Sequence, residues 1–165
     1  MRQTSAYDAW KKCKYPERTV LVVSKGKDGE ENIITVGWNM PTSNDPSLLA
    51  ISIGLTRFSH KLIDEGGEFV VSFPSEGMEK AVLYCGTYSG RYVDKFKETG
   101  LTKVPSSCIA PSLIKEAVVN MECKVVDKIK TGDHTIFIGK VLVSHVSEED
   151  KKPITNLGGG RFGSV

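Results

Sequence analysis

Residues 51–60, ISIGLTRFSH, put a guanidinium and two hydroxyls where an apolar run ends and a helical pattern begins. Free backbone N–H groups and the positive end of a helix macrodipole converge at such a junction. Arg57 supplies a bidentate donor and Thr56 and Ser59 supply hydroxyls, a set suited to a phosphate monoester. The plainer alternative is that Thr56 or Ser59 only caps the helix and that Arg57 is solvated.

Three other stretches carry chemistry. In NIITVGWNMPTS, residues 32–43, a strand that carries the amide of Asn32 exits through Gly37 to Trp38, the amide of Asn39 and a proline. Such an edge can lay backbone N–H and C=O groups along a flat heterocycle while Trp38 shields one side; Trp38 as plain core is the alternative. In SGRYVDKF, residues 89–96, Arg91 and Lys95 stand beside Tyr92 and Phe96, either as a binding face or as a solvated basic one. In TGDHT, residues 131–135, His134 sits at the mouth of a hairpin, pointing to a ligand or serving with Asp133 as a turn residue.

Other chemistries find no support. Cys13, Cys85, Cys108 and Cys123 form no CxxC pair, and His60, His134 and His145 fall at no metal-ligand spacing, so no metal site is expected. Cys123 falls in an alternating strand pattern and reads as a small core hydrophobe. GGGRFG at 158–163 satisfies G-x-G-x-x-G, but only Ser164 and Val165 follow, too few for the helix that a dinucleotide fingerprint requires. With 22 Lys+Arg against 20 Asp+Glu the net charge is +2, without the basic excess of a nucleic-acid binder. The mostly apolar stretch from Leu48 to Leu55 is too short to cross a bilayer, and the polar N-terminal segment lacks a signal-peptide pattern. A cytoplasmic protein with reduced cysteines is expected.

The elements that must position these residues are mostly strands. RTVLVVSK, NIITVGWN, LLAISIG and EFVVSFP read as strands, with Pro41 and the polar TSNDPS ending the second. Two longer strands, AVVNMECKVVDKIK and HTIFIGKVLVSHV, meet at the tight turn TGD. TRFSHKLIDEGG is a short helix stopped by Gly66-Gly67. Met78, Val82 and Cys85 have helical spacing, and VDKFKETG is a further helical turn. Val104 to Leu113 reads as a surface loop, and the segment beyond Ser147 reads as poorly ordered unless a partner or ligand holds it. Lys95 and His134 stand at loop-like positions, where core burial is not expected and function concentrates. The 165 residues fit one domain, residues 1–165, that is mainly β with a few short helices, an antiparallel barrel or sandwich.

Taken in order, these stretches resemble the flavin reductase-like family of FMN-binding split barrels, which includes flavoredoxin. The matching features run from about Tyr15 to Phe162: N-x-x-T-x-x-W at Asn32, Thr35 and Trp38, the I-S-I…R-x-S segment at Ser52, Arg57 and Ser59, F-V-V at Phe69, the block from Ser89 to Leu101, and G-D-H-T…G from Gly132 to Gly139. Ser72 stands where many members have Asn, Ser59 replaces a frequent Thr, and the tail has Pro153-Ile154 and Phe162 in place of P-L and a nearer aromatic.

The resemblance implies a six-stranded antiparallel Greek-key split β-barrel that forms a homodimer and binds FMN. Carried over by residue, Ser52, Ile53, Arg57 and Ser59 belong to the phosphate side. Asn32, Thr35, Val36, Gly37 and Trp38 form the edge along the isoalloxazine. Ser89, Gly90, Lys95 and Phe96 lie near the flavin, with Lys95 toward its N1–C2=O end, and His134 is the hairpin histidine with a catalytic role. The expected activity is that of an NAD(P)H-dependent flavin or ferric reductase. A flavoredoxin-like electron carrier, fed by a redox protein and lacking an NAD(P)H site, is the alternative. A flavin supplies its own redox chemistry, which accounts for the lack of a recognisable acid–base set in the chain.

Overall fold

The computed structural model describes residues 1–164. The chain opens with helix α1 (Ala6–Cys13), the short strand β1 (Glu17–Arg18) and the apolar β2 (Val20–Lys25), then turns at Gly29 into β3 (Glu31–Val36). After a break at Gly37–Trp38 come β4 (Asn39–Asn44), β5 (Ser47–Gly54), α2 (Phe58–Gly66) and β6 (Glu68–Phe73). Helices α3 (Glu79–Thr87) and α4 (Lys95–Thr99) follow, then the short strands β7 (Lys103–Val104) and β8 (Leu113–Ile114). The long hairpin β9 (Val119–Thr131) and β10 (His134–Val146) precedes β11 (Ile154–Gly158) and β12 (Arg161–Ser164).

The main sheet is antiparallel, with strand order β3-β2-β6-β9-β10-β5-β4. Because β3 and β4 are consecutive pieces of one run, one paired to β2 and the other to β5, the sheet closes into a six-stranded barrel split at Gly37–Trp38. The Ser52 N–H donates to the Trp38 carbonyl at 2.9 Å and stitches the split. The strand expected to stop at Pro41 instead breaks at Gly37–Trp38 and then runs through Pro41 as β4. β4 pairs only with β5 and is bulged between Pro41 and Ser43, and an edge position with a bulge tolerates proline's missing N–H.

Strand β2 is buried on both faces, which is why it reads as an unbroken apolar run. Val20 and Val22 point into the barrel with Ile51, Phe69 and Phe137, while Leu21 and Val23 pack outward against Met78, Val82 and Phe96 from α3 and α4. Inside the barrel the Phe69 ring lies against Gly139, where a Cβ has no room.

The tail is ordered by its own chain, contrary to expectation. β11 pairs with β1 (Glu17↔Asn156, Arg18↔Thr155), Ile154 is buried in the outer core, and Phe162 packs against it. The turn that makes this hairpin runs through Gly158, Gly159 and Gly160 at φ 84°, 61° and 74°, a left-handed run that only glycine adopts without strain. The glycines that mimic a nucleotide motif thus serve a β-turn. Helix α1, which the polar N-terminal segment did not suggest, is capped by Ser5, whose Oγ accepts from the Asp8 N–H, and it buries none of its residues.

Candidate functional site

Two lobes of a groove meet at Ile34 and Arg57. The first, about 210 Å³, lies between β3, the start of α2 and the segment from Cys85 to Lys95. The second, about 270 Å³, runs along Thr35–Trp38 and Ser52–Gly54 to His134. Arg57 is the residue before α2, extended at φ −73° and ψ 140°, and no side chain caps the helix there. The expected capping by Thr56 or Ser59 does not occur, because Ser59 lies inside the helix and fully buried. The uncapped N–H groups of α2 and the Arg57 guanidinium together make an anion-receptive corner. Arg91 adds a second cation, its Nη1 donating to the Thr56 carbonyl at 3.3 Å and its guanidinium 5.6 Å from the Phe58 ring centroid.

The floor of the first lobe is polar and buried. Asn32 Nδ2 donates to Ser59 Oγ at 2.8 Å, while Asn32 Oδ1, on a residue 3% exposed, has no hydrogen-bond partner. Gly90 lies directly over that amide, where any Cβ would overlap Oδ1. Beside it, Lys95 is 4% exposed and its Nζ donates to the carbonyls of Ile33 and Cys85, both at 2.7 Å. This corrects the expectation of a loop-like lysine: the side chain turns inward to satisfy a carbonyl of the last turn of α3. Burial lowers its pKa from the usual lysine value, opposed by Cys85 and aided by Arg57. Burial likewise pushes the Cys85 thiol up to about 11 despite the pull of Lys95, so no thiolate forms there.

In the second lobe, the Trp38 ring is tilted against the imidazole of His134 with centroids 4.9 Å apart, and Trp38 is exposed rather than core. His134 Nδ1 lies 2.7 Å from Asp133 Oδ1, and that hydrogen bond holds the Asp133 carboxyl below its usual range. The Leu55 N–H donates to the Asp133 carbonyl at 2.9 Å, tying the hairpin tip to the end of β5. At the break in the barrel, Asn39 Nδ2 donates to the carbonyls of Val36 and Gly37.

Asn32, Arg57, Ser89, Gly90 and Lys95 therefore line the first lobe, and Thr35, Val36, Gly37, Trp38, Ser52, Ile53, Arg57 and His134 line the second. Thr35 commits its hydroxyl proton to the Val82 carbonyl, and Val36 turns its side chain into the barrel. Two candidates fall outside. Ser59 stands behind Asn32, and Phe96 packs into the outer core because α4 presents its apolar face there. Among the wall residues that sequence reasoning passed over are Ile34, Phe58, Lys14 and Glu17. Ile34 was findable, since it sits two residues from both Asn32 and Val36 on one strand face. Lys14 and Glu17 arrive through the pairing of β1 with β11, which no local pattern signals.

A family model for the flavin reductase-like domain matches residues 13–165. The chain belongs to the flavin reductase-like family. An uncharacterized protein of Archaeoglobus fulgidus is 43% identical to this flavin reductase-like protein over 136 residues, 82% of this chain and 75% of that one. The NADH-dependent FMN reductase AsuE2 of Streptomyces nodosus subsp. asukaensis is 29% identical, covering 83% of this chain and 73% of the relative. Among solved structures, flavoredoxin of Desulfovibrio vulgaris superposes with a TM-score of 0.82 at 28% identity, over 92% of this chain and 87% of that one. The expected split-barrel architecture and the family it resembles are both shown. No helix among the described residues is long and apolar enough to cross a membrane, and no described group of three or more His, Cys, Asp or Glu side chains is placed to hold a metal.

Proposed function

We propose that this flavin reductase-like protein holds FMN across the two lobes and acts as an NAD(P)H-dependent flavin or ferric reductase. The observation that carries this is the pairing of an uncapped helix start at Arg57 with a buried, unpartnered acceptor, Asn32 Oδ1, in one groove. These residues fit the cofactor. Arg57, Arg91 and the N–H groups of α2 would hold the phosphate, Asn32 Oδ1 would accept from a ligand hydroxyl or N–H, and the β3 edge with Trp38 would flank the flat ring. Bound there, the flavin would supply hydride acceptance and onward electron transfer. His134, fixed by Asp133 and leaning on Trp38, is the proposed catalytic residue. The Streptomyces relative is an NADH-dependent FMN reductase, which supports a nicotinamide donor here.

Titration with FMN and riboflavin tests the reading. Arg57→Ala should weaken FMN at least tenfold and riboflavin hardly at all, since a charge-assisted phosphate contact contributes about 1.5–3 kcal/mol. Equal losses would show Arg57 acting through folding. Anaerobic addition of NADH or NADPH should bleach the bound flavin, more slowly in His134→Ala, which keeps its FMN. The similarity to a flavoredoxin favours the second reading, a carrier reduced by a redox protein, and flavin that stays oxidised under both nicotinamides would establish it.

A homodimer in the cytoplasm belongs to the same proposal, with no nucleic-acid or membrane partner. Trp38 and Met40 beside the break in the barrel and Val126, Ile129 and Val146 on the long hairpin are each at least half exposed, apolar surface that a second copy would cover. Sedimentation at the monomer mass across micromolar concentrations would refute the dimer.

A further inference from the structure

The second lobe does not end at Trp38. It opens past Lys14 and Glu17 into a larger groove of about 880 Å³ beneath α1, whose walls are Tyr7, Trp10, Tyr15 and Trp38 with Lys11 and Lys14 between them. Tyr7 and Trp10 are 68% and 67% exposed, so two large rings face the groove without protein cover. Both lysines lie over aromatic rings, Lys11 Nζ at 4.2 Å from the Tyr7 centroid and Lys14 Nζ at 5.3 Å from that of Tyr15. Lys14 also faces the Glu17 carboxylate, but at 3.7 Å, longer than a hydrogen bond, so its N–H donors remain available.

We infer that this groove takes the adenosine diphosphate half of the nicotinamide donor. The inference rests on the function proposed above and places the part of the donor that does not react. Aromatic faces stack a purine and ammonium groups pair with a pyrophosphate, the two recognition elements that a nucleotide tail needs. The groove is continuous with the lobe containing Trp38 and His134, so a donor spanning both puts its nicotinamide at the candidate reaction site. Its volume lies within the range of pockets that enclose small-molecule ligands. The arrangement also accounts for a helix of eight residues that buries nothing of its own: the ligand supplies the missing cover.

The test uses ADP-ribose, which lacks the nicotinamide and so reports on the groove whatever the flavin does. The full-length protein should bind ADP-ribose in equilibrium dialysis, and Trp10→Ala, a change at an exposed position, should weaken that binding about tenfold. Steady-state kinetics should then show KM for NADH rising about tenfold in Trp10→Ala at constant kcat, with the rate on reduced nicotinamide mononucleotide unchanged. ADP-ribose that does not bind, or binds wild type and Trp10→Ala equally, overturns the assignment. So does a conversion of dimer to monomer in Trp10→Ala at unchanged ADP-ribose affinity, which would put a second copy of the chain in the groove. Flavin that NADH cannot reduce overturns the donor reading and the naming of the occupant as a donor, while the ADP-ribose result still decides whether the groove takes an adenosine diphosphate group.

Discussion

Glu122→Gln should destabilise the protein by about 3 kcal/mol and flatten its loss of stability in acid. Glu122 sits in β9 with no exposed surface, and its carboxylate accepts from the N–H groups of Ser107 and Cys108 at 2.7 and 2.9 Å, from Cys108 Sγ at 3.0 Å and from His145 Nε2 at 2.7 Å. The same loop donates from Ala110 to Glu68 and from Ser112 to Glu31, so residues 107–112 hang by backbone N–H groups from carboxylates on three strands. Burial alone would raise the Glu122 pKa, but the bonds from Cys108, Ser107 and His145 outweigh it and hold the carboxyl at about 2, against an ordinary 4.5. A depressed carboxyl pKa contributes stability that is complete above the ordinary value and disappears as pH falls toward the folded one. The window is therefore from about pH 4.5 down to about 2. Urea midpoints measured across that range should fall steeply for the wild type and less for Glu122→Gln. Parallel acid limbs in the two proteins would show that Glu122 is not the group responsible.

The second large effect is at Lys95. Lys95→Met leaves the carbonyls of Ile33 and Cys85 buried without their donor and should lower the unfolding free energy by about 3 kcal/mol. In the flavin-loaded protein the same change should lower the flavin midpoint potential, because a positive charge that favours the reduced anion is gone. Chemical denaturation and a redox titration read these separately. A denaturation midpoint equal to wild type would contradict the anchoring role that the two 2.7 Å bonds assign to it. The burial of Lys95 reverses the sequence expectation of an unburied lysine acting on the flavin more than on the fold, since its two bonds give it a place in the fold as well.

That reversal shows where legibility stopped. Strands β2, β6 and β10 were legible because burial on one or both faces leaves an apolar signature that does not depend on partners. The corner at Arg57 was legible because a strand end, an arginine and a helix start are all local. Lys95 was not, since a lysine between two aromatics and two acids reads as solvated, and only the approach of β3 and the end of α3 gives it acceptors. Glu122 was invisible for the same reason: its donors lie some fifteen residues before it and more than twenty after it. The passage of the strand through Pro41 and the ordering of the tail depended on an edge and on a long-range pairing. Neither leaves a mark in a short window.

The pairing of β1 with β11 joins segments near opposite ends of the chain. It also positions Lys14 and Glu17, which form one wall of the second lobe. The barrel strands pair with one another in a sheet of their own, so the barrel does not need the pairing of β1 with β11 in order to close. Contacts between such distant segments are the slowest to form, because the intervening chain must be ordered first. On refolding, the barrel and the corner at Arg57 are therefore expected to form before Lys14 and Glu17 are fixed at the place where the second lobe opens into the groove under α1. A chain that has closed its barrel without that pairing would present the corner at Arg57 without the ammonium and carboxylate that flank the adjoining lobe.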